Sequence, residues 1–235
     1  MRVLLFDIDG TLIRTGGAGK SAMEQAFEKI YGIKNGFDGI QMMGRTDPAI
    51  FLEAANNHGL VLEDEKIEQF KKAYFQFLEE EIEVPRSGKY ICPGITALLA
   101  SLQNQTNLVL GLLTGNWRHS GFLKLHHFGI DGYFTFGAFA DDSSRREDLV
   151  PVALKRFEEK YGEKPSQRDV YVIGDTPLDI DCARPYGVCT VGVATGFHSL
   201  KELKAAEPDY LFEDFRKTEE VVKIFLRQEE LSVSR

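Results

Sequence analysis

Hydrophobic and polar positions follow two different rhythms along this chain. Residues 3–12 read V-L-L-F-D-I-D-G-T-L, an apolar run that stops at two carboxylates separated by one residue and then a glycine. Such a run predicts a buried strand, on which Asp7 and Asp9 project to the same side with Ile8 opposite. After Leu12 the spacing turns helical, over 19–31, 47–58 and 63–83, with Ile67, Phe70, Tyr74, Phe77 and Leu78 forming one stripe of the third helix. That aromatic stripe reads as the core of a helical bundle. From Pro93 onward strands and helices alternate. The pattern predicts a helix at 95–103, a strand at 108–113, a helix from 119, a strand at 133–137 and a helix at 147–161. There follow a strand at 170–173, a short helix at 178–184, strands at 189–193 and 209–212, and a terminal helix at 218–228.

One strand, an all-helical insertion and then a series of strand–helix units predict an α/β protein. Its core is a Rossmann-like parallel sheet whose first strand is separated from the rest. The hinge-like compositions of 15–19 and 85–88 divide the chain into a core of 1–15 and 86–235 and a helical cap of 16–85.

Charge narrows the partners. With 28 Lys and Arg against 36 Asp and Glu, net −8, the chain lacks the basic surplus that a nucleic acid or an anionic membrane calls for. An anionic ligand must therefore be met by a few local cations or by a metal. Cys92, Cys182 and Cys189 have no CxxC spacing, which argues against a disulfide framework and a zinc knuckle. The first apolar run is cut short at Asp7, no later stretch approaches membrane-spanning length, and the cytoplasm is the expected location.

Two like charges at one strand end are costly unless a cation or strong donors stand between them. Asp7 and Asp9 therefore point to a metal site or an acid/base pair, the alternative being an Asp-Gly turn with one solvated Asp. Ligands of open parallel sheets collect at the carboxyl ends of the strands. The strand at 108–113 runs into T-G-N, placing Thr114, Gly115 and Asn116 on a tight turn, and the strand at 170–173 runs into Asp175. Between them lie Arg145 and Arg146, just ahead of a helix.

This ordered set resembles the haloacid dehalogenase superfamily of phosphohydrolases, and within it the capped phosphoglycolate-phosphatase-like group. D-I-D-G-T-L matches the first signature, Thr114 the second, the basic residue the third and G-D-T-P-L-D the fourth. The third signature is usually a Lys. Here Arg146 is preferred by its spacing to Leu149 and Ala153, with Arg145 as the alternative, and an Arg supplies the same charge with a bidentate fork.

The resemblance implies a Mg2+-dependent phosphatase for a small phosphorylated metabolite, with phosphoglycolate the best single guess. It makes Asp7 the nucleophile that forms an aspartyl-phosphate and Asp9 the general acid, then base. Asp7, Asp175 and the backbone carbonyl of Asp9 would hold Mg2+, an all-oxygen set that does not suit zinc. Thr114, Gly115, Asn116 and Arg146 would hold the phosphoryl oxygens. Asp179 fits both metal support and a helix-capping box with Thr176. In the cap, G-R-T-D-P predicts Asp47 as a helix N-cap and leaves Arg45 either meeting the leaving group or solvated. A sugar-phosphate mutase of the same fold is the nearest rival. A phosphoacceptor signalling domain is the rival from another class, opposed by Asp9, which hastens hydrolysis of a phospho-Asp.

Overall fold

The computed structural model describes residues 1–227, so Gln228, the expected end of the last helix, lies outside the described residues. In chain order the elements are β1 (Arg2–Phe6), β2 (Ile13–Thr15), α1 (Ala18–Tyr31), α2 (Asp47–Asn57), α3 (Asp64–Glu81), β3 (Lys89–Ile91), α4 (Ile95–Leu102), β4 (Leu108–Leu113) and α5 (Arg118–His127). They continue with β5 (Gly137–Ala138), α6 (Leu149–Tyr161), β6 (Val170–Gly174), α7 (Pro177–Ala183), β7 (Cys189–Val193), α8 (Leu200–Ala205), β8 (Tyr210–Phe212) and α9 (Thr218–Leu226).

Six strands form one parallel sheet in the order β5-β4-β1-β6-β7-β8. β1 is central and wholly apolar after Arg2 because it is covered on both faces. Leu4 and Phe6 pack with Leu99 of α4, Leu125 of α5 and Phe225 of α9. Val3 and Leu5 pack on the other side with Val150, Ala153 and Phe157 of α6. Alternation along one strand thus feeds two separate cores, each fully buried large side chain being worth about 1.5–3 kcal/mol. The chain leaves β1 for β4 on one side and reaches β6 on the other. The strand order therefore reverses beside β1, the place where such folds bind ligands.

Helices α1–α3 have an apolar cluster of their own. Phe27, Phe37, Phe51 and Phe70 are buried in it, with Phe51 and Phe70 stacked at 4.3 Å between ring centres. The expected stripe behaves as bundle core, since Phe70, Tyr74 and Leu78 are buried and Ile67 and Phe77 pack partly against them. Trp117 and Ala140, from the sheet side, join the same cluster and seat the insertion on the core.

Three features depart from the expected pattern, the first being the short helix α8, in a stretch where the sequence pattern predicts no element. The insertion is entered and left through an antiparallel ribbon, Ile13 pairing with Ile91 and Thr15 with Lys89. Three-residue strands whose partners are more than seventy positions away leave no periodic trace in the sequence. The aromatic run at 133–137 is mostly not strand. Residues 131–133 form a 3-10 turn, and β5 is the two-residue pair Gly137–Ala138 at the sheet edge. Phe134 and Phe136 owe their burial to side-chain packing, Phe134 edge-on to Phe6 and Phe136 against Phe157.

Candidate active site

Strand register assembles the first part of the site. Phe6 lies opposite Leu112 of β4 and Ile173 of β6. Continuing each strand by a residue or two brings Asp7, Thr114 and Asp175 to one end of the sheet. The chain after Asp9 turns back through Gly10, which has φ of 86°. A side chain there would start 2.4 Å from Oδ2 of Asp175, so both the backbone conformation and the space demand glycine. A cavity of about 510 Å³ opens over these ends, between the sheet and the helical insertion.

Of the two adjacent arginines, Arg146 is the one that reaches the site. Its side chain is 6% exposed, with Nη2 3.1 Å from Oδ1 of Asp7. It also forms an ion pair with Asp179 and donates from Nη1 to the carbonyl of Gly44 at 2.8 Å. Arg145 turns outward, 69% exposed, and pairs with Glu147.

Asp7, Asp175 and Asp179 each present a carboxylate oxygen within 4.8 Å of the others. Burial pushes Asp7 up to about 6, with Asp179 and Asp9 adding to it and Arg146 and the Thr114 hydroxyl opposing. Burial likewise raises Asp175 well above the ordinary carboxylate range, reinforced by Asp179 and Asp7. Three clustered carboxylates with one guanidinium between them are short of positive charge. A hard divalent cation such as Mg2+ fits both that deficit and the all-oxygen donors.

Asp179 forms the expected capping box and also pairs with Arg146. Its Oδ2 accepts from the backbone N–H of Thr176 at 3.0 Å and from the Thr176 hydroxyl at 2.7 Å, at the start of α7. Its Oδ1 takes the guanidinium of Arg146. With both oxygens engaged, Asp179 braces the cluster, while Asp7 and Asp175 face the cavity.

The carboxylate of Asp9 stands apart from this cluster. Its Oδ2 accepts from Nζ of Lys124 at 2.6 Å and from Nδ2 of Asn116 at 2.9 Å. Oδ1 has no hydrogen-bond partner among the described residues. Lys124 also donates to Oδ1 of Asn116 at 2.6 Å, and Asn116 donates to the Thr114 hydroxyl at 2.8 Å. Sequence reasoning missed Lys124, although a signal was present. Ser120, Gly121, Lys124 and Leu125 make the buried face of α5, and a Lys in such a pattern needs an anion as partner.

The start of α2 also differs from expectation. Thr46 is the N-cap, its hydroxyl oxygen accepting from the N–H of Ala49 at 3.3 Å, and Asp47 is the first helical residue. Freed from capping, the Asp47 carboxylate accepts from the N–H of Trp117 at 2.9 Å and the hydroxyl of Ser120 at 3.3 Å. The N–H of Asp47 donates to the carbonyl of Gly115 at 2.7 Å, and the Thr46 hydroxyl donates to that of Ser144 at 2.6 Å. A side chain on Gly115 would start 2.1 Å from the carbonyl oxygen of Arg45, so this loop of the insertion lies directly on the Thr114–Asn116 turn. Burial pushes Asp47 up to about 7, against the pull of Lys124 and the Trp117 N–H. Arg45 lines the cavity, but its guanidinium pairs with Glu53 and donates to the carbonyls of Gln41 and Ala49.

Residues 4–193 match the family model described as haloacid dehalogenase-like hydrolase. The chain belongs to the haloacid dehalogenase-like hydrolases. Within that family it is 26% identical over 216 residues to the pyrophosphatase PpaX of Oceanobacillus iheyensis, covering 92% of this chain and 94% of the relative. It is 24% identical to the phosphoglycolate phosphatase of Vibrio vulnificus, covering 95% and 97%. The fold superimposes with a TM-score of 0.70 on a predicted phosphoglycolate phosphatase from Haemophilus somnus. That pair is 18% identical, and the match covers 94% of this chain and 98% of the other. No helix among the described residues is long and apolar enough to cross a membrane.

Proposed function

We propose that this haloacid dehalogenase-like hydrolase is a Mg2+-dependent cytoplasmic phosphatase for a small phosphate monoester of the phosphoglycolate kind. It would work through an aspartyl-phosphate on Asp7, with residues 16–85 acting as a cap over a core of 1–15 and 86–235. The observation that carries the reading is the division of labour between the two aspartates. Asp7 is buried between Arg146 and Thr114, whereas Asp9 is gripped by one oxygen and has no partner at the other among the described residues. The phosphatase names of the relatives point the same way.

In this account a carboxylate oxygen of Asp7 attacks phosphorus in line. The ester P–O bond breaks, and the departing oxygen takes a proton from Asp9. Water then attacks the phosphorus of the aspartyl-phosphate and gives its proton to Asp9. Inorganic phosphate leaves and the Asp7 carboxylate is restored. Lys124 and Asn116 hold Asp9 by Oδ2, which leaves Oδ1 to carry the travelling proton. Arg146, Thr114 and the N–H groups around Gly115 and Asn116 steady the phosphoryl oxygens while charge accumulates there. Asp7 and Asp175, with the backbone carbonyl of Asp9 and bracing from Asp179, would hold Mg2+. When bound, the ion adds positive charge at the transferred group.

The test is a panel of phosphate monoesters with Mg2+, scored for released phosphate, isomerised sugar phosphate and stable phosphoprotein. Release with turnover is the expected result. An isomerised product would replace the reading with a mutase, and a persistent phosphoprotein without turnover would replace it with a signalling domain.

A further inference from the structure

Tyr74 is wholly buried in the helical insertion, yet its hydroxyl has no hydrogen-bond partner among the described residues and the residue lines the cavity. A buried hydroxyl without a partner costs stability. The aromatic cluster around Tyr74 would be served equally well by Phe, so packing does not account for the oxygen. Lys124, 4% exposed, lines the same cavity. Two of its three N–H groups are taken by Asp9 and Asn116, and the third has no acceptor among the described residues. Gly19 borders both groups. A side chain at that position would start 3.5 Å from Nζ of Lys124 and 4.0 Å from the hydroxyl of Tyr74. Two unspent donors, one neutral and one cationic, thus converge on a gap beside the carboxylate of Asp9.

We propose that Tyr74 and Lys124 form a leaving-group subsite. It selects phosphate monoesters whose departing alcohol carries a second oxygen acceptor, a carboxylate or a hydroxyl, on the carbon next to the ester-bearing one. The inference rests on the phosphatase reading, because only there does Asp9 face the leaving oxygen. The acceptor takes hydrogen bonds from the Tyr74 O–H and the third N–H of Lys124. That contact orients the ester oxygen toward the free Oδ1 of Asp9. Such a site rejects a leaving group lacking the acceptor more strongly than it rejects one of the wrong size, because its buried donors are then left unpaired.

Three probes separate the possibilities: 2-phosphoglycolate, glycerol 3-phosphate and ethyl phosphate, with kcat/KM measured for wild type, Tyr74→Phe and Gly19→Ala. Tyr74→Phe removes only the unpaired oxygen, so its melting temperature should rise or hold. Its kcat/KM for whichever of the first two probes wild type prefers should fall roughly 10- to 100-fold further than for ethyl phosphate. Gly19→Ala keeps both donors but fills the gap, and should show the same bias. Equal losses on all three esters in both variants, or no loss on any, would overturn the subsite while leaving the phosphatase reading intact. If wild type releases phosphate from none of the three, both fail together. A destabilised Tyr74→Phe with uniform loss would return the hydroxyl to a structural role.

Discussion

Arg146→Ala removes a guanidinium that touches two buried carboxylates at once. Asp179 is 1% exposed and Asp7 is 5% exposed, so neither can recover solvation when the cation goes. Removing one partner of a buried ion pair costs about 3–5 kcal/mol, mostly from the charge left behind. The substitution also cuts the 2.8 Å hydrogen bond to the carbonyl of Gly44, one of the ties between insertion and core. For a chain of this length each kcal/mol moves the melting temperature by about 2–4 °C, so a drop of about 6–20 °C is expected in EDTA. Adding Mg2+ should narrow the gap, because the ion supplies charge to the same carboxylates. Arg146→Lys should fall between, keeping the charge but losing the fork. Arg145→Ala removes an exposed arginine and should stay within about 0.5 kcal/mol. The assay is thermal unfolding by circular dichroism on the four proteins, with kcat/KM in parallel. An Arg146→Ala protein that melts with wild type, or a larger effect at Arg145, would refute the reasoning.

Three further outcomes follow from the same geometry. Asp47 has a folded value near 7 against an ordinary 3.8. Its contribution to stability is therefore full below about pH 4 and is lost as pH rises through 7. Lys124, Asp9 and Tyr74 are the charged or titratable groups facing it. The melting temperature of wild type relative to Asp47→Asn should therefore fall between about pH 4 and pH 7, and a flat difference would contradict the burial argument. Lys124→Met should cost ethyl phosphate on the order of tenfold more than p-nitrophenyl phosphate, whose leaving group needs little protonation. Equal losses would detach Lys124 from the proton transfer. Activity should be lost in EDTA, return with Mg2+ and be inhibited by Ca2+, whose larger and looser coordination suits in-line transfer poorly. Full activity in chelated enzyme would remove the metal from the account.

Much of this site was legible because it is written where local pattern and topology coincide. Asp7, Thr114 and Asp175 follow apolar strands, and parallel register brings such positions together whatever the rest of the chain does. The Thr176–Asp179 capping box is equally local. Lys124 and Asp47 were harder because each needs a partner from a distant segment. The anion that justifies a buried Lys124 is Asp9, more than a hundred positions away. Asp47 looked like an N-cap because Asp before Pro usually is one. The neighbouring Thr46 took that role, and only the docked loop reveals what the carboxylate does instead. The β2–β3 ribbon was invisible for the same reason, its strands being too short to carry a period of their own.

In the proposed mechanism Asp7 becomes phosphorylated and Asp9 clears it. Asp9→Asn should slow breakdown of the intermediate, so this variant mixed with Mg2+ and p-nitrophenyl phosphate, whose leaving group needs little protonation, should gain the mass of one phosphoryl group. Borohydride reduction followed by peptide sequencing should then find the modified residue at position 7. Recovery of the label at Asp7, and its absence from an Asp7→Asn protein, is the predicted result. A phosphoryl group on any other residue, or unimpaired turnover by Asp7→Asn, would contradict the account.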